Sequence, residues 1–205
     1  CNMITNYKEF ENFLENTKEK KKLLIHACCG PCSTSVLELL NKYFLIDVLY
    51  YNPNIYPEEE YKKRLNALKK VSKNIISFSY DSDLFTNLVK GLETEKEGGL
   101  RCYKCIEARL RKTATYAKEN GYDFFTTTLS VSPHKNSKMI NEIGYKLEKE
   151  YNIKYLYSDF KKKEGYKRSI TLSKDLNLYR QTYCGCKYSI KEGNIVNKDK
   201  KWWYN

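Results

Sequence analysis

Short apolar runs alternate with segments of helical periodicity along most of the chain. Five runs rich in Leu, Ile, Val, Phe and Tyr predict strands, at residues 23–27, 45–51, 75–80, 124–129 and 155–157. Helical spacing of apolar residues predicts helices at residues 6–20, 33–42, 57–73, 81–90, 101–120, 137–151 and 169–176. Because strand and helix alternate, we predict an α/β fold with a largely parallel sheet, flanking helices and an irregular C-terminal segment. The loops after the first, second and fourth strands should meet at the carboxyl edge of that sheet.

Three cysteines, Cys28, Cys29 and Cys32, lie in the loop that follows the first predicted strand, in the sequence HACCGPCS. The Gly-Pro pair between them sets a tight path into the next helix, and Ser33 or Thr34 is expected to cap it. Neighbouring side chains diverge, so the adjacent thiols fit a larger inorganic core, or two metals, better than one compact tetrahedral ion. The sequence CGPC also matches the redox motif of thioredoxin-like proteins, which leaves a thiol–disulfide oxidoreductase as an alternative.

Two further cysteine pairs follow. Cys102 and Cys105 form a C-x-x-C pair at the start of a predicted helix, where the helix dipole favours an anionic metal–thiolate centre. The 69 residues between Cys32 and Cys102 span several core elements, which favours a four-iron cluster over a compact zinc ribbon, with structural zinc as the alternative. One glycine separates Cys184 from Cys186, and this spacing allows either a strained, easily reduced disulfide or two more metal ligands.

The charge of the chain is compatible with a polyanionic partner. Lys and Arg number 37 against 25 Asp and Glu, a formal net charge of +12, and there are 19 tyrosines. Lys and Arg would contact the phosphates of an RNA partner, and Tyr would stack on its bases. The alternative is that the composition is simply rich in Lys and Tyr, without a polyanionic partner. No apolar run has the length of a membrane span and the start shows no signal-peptide pattern, so the eight cysteines are expected in the reducing cytoplasm.

Four other side chains are candidates for proton handling. His26 lies inside an apolar strand, where a hydrogen-bonded structural imidazole is favoured over a ligand or a proton donor. His134 lies in the loop after the fourth predicted strand and is the better candidate for substrate or proton handling. Asp159 and Glu142 are possible acids, and nothing in the sequence selects between them.

Four motifs, in this order and at this spacing, resemble those of the cobalamin-independent epoxyqueuosine reductases. They are HACCGPCS, RCYKC, TTLSVSPHKNS and SDFKKKEGYKRSITLSKDLNLYRQTYCGCKYS, and the resemblance runs from about residue 23 to residue 188. It implies a Rossmann-like fold of the adenine-nucleotide hydrolase-like group. It also implies reduction of epoxyqueuosine to queuosine at the wobble position of tRNA, the last step of queuosine biosynthesis. The implied partners are a tRNA anticodon loop carrying epoxyqueuosine and an unidentified electron donor, with no membrane.

The resemblance also implies a role for each cysteine motif. The implied ligands of a [4Fe–4S] cluster are Cys28, Cys29, Cys102 and Cys105. A second, mononuclear iron is implied beside the cluster, with Cys32 among the metal ligands at a position where some members carry a carboxylate. Cys184 and Cys186 would form a redox-active disulfide.

The implied reaction is a two-electron, two-proton deoxygenation that leaves an alkene. His134 or a water is expected to protonate the leaving oxygen, and the basic stretch 161–168, Arg180 and the tail 198–204 are expected to contact tRNA. We divide the chain into an N-terminal helix at 1–22, a reductase domain at 23–190 and a basic, aromatic tail at 191–205. A zinc-stabilised RNA-binding protein without catalysis is the remaining alternative.

Overall fold

The computed structural model describes residues 3–190 and contains a sheet of five strands. The strands are β1 (Lys21–His26), β2 (Phe44–Tyr50), β3 (Ile75–Ser77), β4 (Phe124–Thr127) and β5 (Lys154–Tyr155). Their order across the sheet is β3-β2-β1-β4-β5, and every neighbouring pair is parallel. The predicted α/β fold with a parallel sheet is confirmed.

All seven predicted helices are present. They are α1 (Tyr7–Glu15), α2 (Gly30–Leu40), α3 (Glu58–Lys69), α4 (Ser82–Leu88), α5 (Leu100–Glu119), α6 (Ser137–Tyr151) and α7 (Gly165–Asp175). The fourth strand is shorter than predicted, because the chain turns at Thr128 into a short 3₁₀ helix, Thr128–Val131. The hydroxyl of Thr127 caps that turn by accepting a hydrogen bond from the backbone N–H of Leu129, at 3.2 Å.

The start of α2 differs from the prediction. The helix begins at Gly30, with Cys29 as its N-cap residue, so neither Ser33 nor Thr34 caps it. Their hydroxyls instead donate back to carbonyls of the first turn, Ser33 to that of Cys29 at 2.8 Å. A Cβ atom at Gly30 would lie 2.6 Å from the Ala67 carbonyl oxygen, so only glycine lets α2 pack this closely on α3.

Two apolar cores cover the faces of the sheet, and β1 contributes to both. Leu23 and Ile25 point into the core that includes residues of α1 and α2, whereas Leu24 points to the opposite core, with Ile106 and Leu110 of α5. All three strand residues are fully buried, as the alternation of side chains along a central parallel strand requires. Both faces are covered, so ligands have access to this sheet at its carboxyl edge.

The N-terminal helix belongs to the first of these cores. Phe10 and Leu14 on α1 are buried, and the Phe10 ring centroid lies 5.9 Å from that of Phe160, near the far end of the chain. Between residues 3 and 190 no helix combines the length and the apolar character that crossing a bilayer requires.

Candidate active site

The loop after β1 holds three thiols in mutual contact. The Sγ atoms of Cys28 and Cys29 lie 3.9 Å apart. Hydrogen bonds from the thiols of Cys28 and Cys32 lower the pKa of Cys29 well below its usual range, and the same contacts raise the pKa of Cys28 and of Cys32. The side-chain amide of Gln181 also donates to the Cys29 sulfur, at 3.0 Å. Cys29 is therefore the most acidic of the three thiols.

The ring of His26 joins the ends of three strands. Its Nδ1 atom lies 3.0 Å from the Thr127 hydroxyl on β4, and its Nε2 atom lies 3.1 Å from Oδ1 of Asn52, just after β2. The Asn52 amide nitrogen donates to the carbonyl of Ala27 at 2.9 Å, which leaves Oδ1 as an acceptor and assigns the ring proton to Nε2. Burial is the main cause that lowers the His26 pKa to about 4. His26 is a neutral structural imidazole, as predicted.

Helix α5 begins with the second pair of thiols. The backbone N–H of Gly98 donates to the Cys102 sulfur at 3.2 Å, and Cys105 lies about one turn further on, largely buried. Burial raises the pKa of Cys102 and raises that of Cys105 to about 11. These thiols hold their protons at neutral pH, so a metal ion that binds them must displace those protons.

Cysteines that are distant in sequence line one cavity. Cys102 and Cys105 on α5 share it with Cys184 and Cys186, and its empty volume is about 290 Å³ including the open mouth. The rest of the lining consists of Asn54, Phe85, Arg101, Ile106, Arg109 and Lys135. Asn54 follows β2 and Lys135 follows β4, so the cavity lies at the carboxyl edge of the sheet, where the parallel topology predicts it.

Arg109 connects this cavity electrostatically with the Cys28 loop. Its side chain is buried, and its Nε donates to the Cys105 carbonyl at 3.2 Å. Burial lowers its pKa, but the attraction of four thiols in their ionised form outweighs burial and raises it above the usual value. In decreasing order of effect, these thiols are Cys105, Cys28, Cys184 and Cys102.

A second buried arginine holds the segment that carries Cys184. The guanidinium of Arg64 on α3 donates to the carbonyls of Tyr183 and Cys184, at 3.1 Å and 3.0 Å, and pairs with Glu60 at 2.7 Å. Gly185 follows with a φ of +125°, and a Cβ there would lie 3.0 Å from the Arg64 guanidinium. This close packing requires glycine between the two cysteines.

Lys135 is the cation nearest to Cys184. Its Nζ donates to the Cys184 sulfur at 3.0 Å and lies 3.2 Å from a carboxylate oxygen of Glu97. Lys161 donates to the Lys135 carbonyl at 2.8 Å and so fixes the backbone there. Burial lowers the pKa of Lys135, but the charges of Cys184 and Glu97 outweigh burial and raise it above the usual value. Lys135 therefore stays charged beside this sulfur.

The predicted proton-handling residues lie outside the cysteine cavity. His134 is exposed and lines a second, larger groove together with Asp159 and Glu142. Asp159 accepts a hydrogen bond from the Ser137 hydroxyl, at 2.7 Å. The structure brings Lys135, rather than its neighbour His134, to the thiols, and the role of His134 as proton donor stays a prediction.

The basic stretch 161–168 does not form one surface. Lys161 and Lys162 line the large groove, whereas Arg168 forms a bidentate ion pair with Glu38 on α2, with distances of 2.6 Å and 2.9 Å. Arg168 is therefore engaged within the protein, and only the first part of the stretch remains available at the groove.

The other expected tRNA contacts lie away from that groove. Arg180 donates to the hydroxyl of Ser173 at 3.1 Å and does not line the groove. The tail 198–204 lies outside the described residues. Both assignments stay predictions.

Three of the cations around the thiols, Arg64, Arg109 and Lys135, were not predicted as site residues. Arg64 has Glu60 four residues earlier, a spacing that in sequence is typical of an exposed helical ion pair. Lys135 lies in the motif TTLSVSPHKNS. In that motif His134, rather than Lys135, was predicted to handle substrate or protons. Nothing in the sequence distinguishes the buried Arg109 from the exposed basic residues of α5.

The donor set fits an iron–sulfur cluster by its chemistry. All seven described cysteines are free thiols, so the disulfide between Cys184 and Cys186 stays a prediction. Among residues 3–190, no group of three or more Cys, His, Asp or Glu side chains has the arrangement that a single metal ion requires. The thiols lie on separate elements with buried cations around them, and thiolates are the usual ligands of [4Fe–4S] clusters.

Comparisons with known proteins identify the family of this chain. A family model described as epoxyqueuosine reductase QueH matches residues 23–192. A relative of that name from Staphylococcus epidermidis is 42% identical over 201 residues, which cover 90% of this chain and 84% of the relative. A second, from Thermotoga maritima, is 38% identical over 180 residues, 83% of this chain and 91% of the relative. Among solved structures, a predicted subunit of tRNA methyltransferase from Methanocaldococcus jannaschii shares the fold, with a TM-score of 0.51 at 15% identity over 73% of this chain and 76% of that one. The chain belongs to the epoxyqueuosine reductase QueH family.

Proposed function

We propose that this chain reduces epoxyqueuosine to queuosine at the wobble position of tRNA, in the cytoplasm, with an iron–sulfur cluster as its electron carrier. The observation that carries the proposal is the cavity into which thiols of α5 and of the segment 184–186 both open, in a chain of this family. The relatives are named for the same reaction. The reaction removes one oxygen atom, so the site must deliver two electrons and two protons for each epoxide.

Four thiols are proposed to hold the cluster. They are Cys28, Cys29, Cys102 and Cys105. When bound, a [4Fe–4S] cluster supplies electrons one at a time from thiolate-ligated iron. Arg64 and Arg109 support the assignment, because each feels the charge of cysteines in this set and would offset the negative charge of a thiolate-ligated centre. Cys32 contacts both thiols of its loop and is proposed as a ligand of an adjacent mononuclear iron.

Cys184 and Cys186 are proposed as a dithiol that supplies the two electrons. When their two S–H bonds break and one S–S bond forms, two electrons and two protons are released. The epoxide then loses both C–O bonds, a C=C bond forms, and the oxygen leaves as water. An external electron donor must reduce the disulfide again before the next turnover. Lys135 donates a hydrogen bond to the Cys184 sulfur at 3.0 Å and so holds that thiol in the cavity.

Asn54 is proposed to orient the substrate. Its Oδ1 atom is buried, its side chain lines the cysteine cavity, and this atom has no hydrogen-bond partner within residues 3–190. A buried acceptor without a donor costs free energy. A hydroxyl group of the substrate entering the cavity would satisfy it.

Conversion of a tRNA substrate tests the proposal. tRNA carrying epoxyqueuosine is incubated with anaerobically purified, cluster-reconstituted protein and dithionite, and the digested nucleosides are measured by mass spectrometry. We expect the wobble nucleoside to lose the mass of one oxygen atom. The Cys184→Ser variant should lose this conversion and keep its iron and sulfide.

Three other results would contradict the proposal or favour an alternative. A preparation with about four iron and four sulfide per chain that leaves the epoxide intact, while the Staphylococcus epidermidis relative converts it, would overturn the proposal. Reduction of insulin disulfides without any iron would favour a thiol–disulfide oxidoreductase. Zinc without sulfide, after anaerobic reconstitution, would favour a zinc-stabilised RNA-binding protein.

A further inference from the structure

A large groove runs along α6, and we call it the α6 groove. Its floor is one face of that helix, on which Lys138, Glu142, Tyr145 and Lys149 follow one another at intervals of three or four residues. The rest of the lining includes residues 3–5, residues 133–137, Tyr157, Asp159, Lys161 and Lys162. Its empty volume is about 1880 Å³, which includes open solvent.

Lysines dominate the lining of the α6 groove. Six lysines line it against two acidic residues. Lys138, Lys149 and Lys162 are exposed, and none of them forms an ion pair with another residue between 3 and 190. The charge of Asp159 is partly offset by Lys161, at 3.7 Å. The groove is therefore positively charged, and three of its six lysines are available to a partner.

The α6 groove adjoins the cysteine cavity at Lys135. Lys135 is the residue common to the linings of the two, with its Nζ on the Cys184 sulfur. A polymer lying in the groove would pass this lysine at the mouth of the cavity. One monomer unit turned out of the polymer at that point would reach the thiols.

We propose that the α6 groove binds the phosphate backbone of the single-stranded loop of the substrate RNA, with the modified nucleotide turned into the cysteine cavity beside Lys135. This rests on the proposed function, because the reaction requires an anticodon loop at the thiols. Phosphate contacts from lysines fix the register of RNA without reading its sequence, and bases in a loop are free to be splayed out. The main surface for RNA is thus the groove, which includes Lys161 and Lys162, rather than the part of the basic stretch around Arg168.

A binding measurement with a synthetic anticodon stem-loop tests the groove. The probe is an unmodified RNA hairpin, and its Kd for the full-length, cluster-reconstituted protein is measured over a range of salt concentrations. The test variant is Lys138→Glu with Lys149→Glu. The matched control is Lys69→Glu with Lys73→Glu, which makes the same change in net charge at exposed positions outside the groove.

We expect the groove variant to weaken hairpin binding by roughly tenfold or more and to lower the salt slope by about 1.4, since each lost contact to single-stranded RNA removes about 0.7. The control should stay within about twofold of the parent protein, because its lysines lie beyond the contact surface. Acetylation of lysines in the parent protein is a second readout, and the hairpin should protect Lys138, Lys149 and Lys162 but not Lys69.

Equal Kd values and salt slopes for groove variant and control, or equal acetylation with and without hairpin, would overturn the groove assignment. That outcome is distinct from failure of the reductase proposal, because the parent protein would still deoxygenate epoxyqueuosine in tRNA. Conversely, the parent protein could bind the hairpin through the groove but never remove the oxygen. The groove assignment would then stand, and the reductase proposal would fail.

Discussion

The Lys135 ammonium lies 3.0 Å from the Cys184 sulfur, and the two residues are 49 positions apart in sequence. Cys186, two residues further on, is instead buried in an apolar cluster with Phe85 and Cys105. One thiol of the pair therefore lies beside a cation and the other among apolar side chains. Cys184 is half-buried and accepts a hydrogen bond from the cation, so it is expected to react faster with thiol reagents than the buried Cys186.

Replacement of the lysine should abolish this difference. In Lys135→Met, alkylation of Cys184 by iodoacetamide at neutral pH should slow by roughly tenfold, the worth of a charge-assisted hydrogen bond of about 1.4 kcal/mol. Peptide mass spectrometry after short labelling times gives the rate at each cysteine. Lys138→Met removes a neighbouring charge on α6 and should leave the rate unchanged; an equal loss in both variants would refute the pairing.

The buried ion pair on α3 should be a major source of stability. Arg64→Met leaves Glu60 without its cation and the carbonyls of Tyr183 and Cys184 without their donor, so the free energy of unfolding should fall by about 3 to 5 kcal/mol. Urea unfolding measures the loss. The exposed pair between Lys62 and Glu58, at the same spacing on the same helix, provides the control.

We expect Lys62→Met to unfold at the same urea concentration as the parent protein, since exposed pairs contribute little. Glu60→Gln combined with Arg64→Met should recover part of the loss, because the isolated buried charge is then removed. A double variant no more stable than Arg64→Met would show that the lost carbonyl contacts, rather than the unpaired carboxylate, are the cause.

The glycine between Cys184 and Cys186 should resist substitution. Gly185→Ala places a Cβ 3.0 Å from the Arg64 guanidinium at a φ of +125°, so the unfolding free energy should fall by about 1 to 3 kcal/mol and epoxide reduction should fall with it. Gly91→Ala also has a positive φ but has no atom within 4 Å of the new Cβ. Gly91→Ala should lower the unfolding free energy by less than Gly185→Ala does and should leave epoxide reduction unchanged. A similar loss of activity in both variants would exclude the close contact with Arg64 as the cause.

Acid should destabilise the protein through His26. The unfolded imidazole titrates near its ordinary value of 6.5, whereas burial lowers the pKa in the folded protein to about 4. The contribution of His26 to the free energy of unfolding is therefore fully present above about pH 6.5 and is lost as the pH falls towards 4. The loss at pH 5 is about 2 kcal/mol. Urea unfolding at pH 7.5 and pH 5 should show this difference in the parent protein and in His134→Gln, and a smaller one in His26→Gln. An unchanged difference in His26→Gln would assign the acid sensitivity to other groups.

Single serine substitutions should separate the cluster ligands from the redox pair. Cys105→Ser, made in anaerobically purified protein, should lower both iron and acid-labile sulfide, because the cluster loses one of its four thiolates. Cys32→Ser should lower iron by about one atom and leave sulfide unchanged if this residue holds only the mononuclear iron. Cys186→Ser should keep both and lose turnover. Loss of sulfide in Cys186→Ser would move that residue into the cluster.

The strands and helices were predictable because local patterns determine them. Helix α6 has its predicted bounds, Ser137–Tyr151, since Asn136 caps its start and Asn152 ends it in a left-handed conformation. The start of α2 was mispredicted for a local reason as well. Ser33 and Thr34 are good capping residues, but the proline after Gly30 suits the first turn of a helix, so the helix starts three residues earlier with Cys29 as its cap.

The cysteines of the candidate site were predictable, and the charges around them were not. Cysteine spacing is visible in the sequence, and parallel topology brings the loops after β1, β2 and β4 to one edge. Burial of an arginine is a tertiary property: Arg64 is inaccessible because the segment 183–185, more than a hundred residues away, packs over it. No local pattern contains that information.

The hydrogen bond from Gln181 to Cys29 has a consequence for the order of assembly during synthesis. The two residues are 152 positions apart, and at typical rates of translation the ribosome needs roughly ten to thirty seconds to make the chain between them. Throughout that interval the thiols of the Cys28 loop have emerged without the segment that covers them. The loop is open until then, and a nascent chain that meets oxidants in this period exposes its most acidic thiol, Cys29, to them.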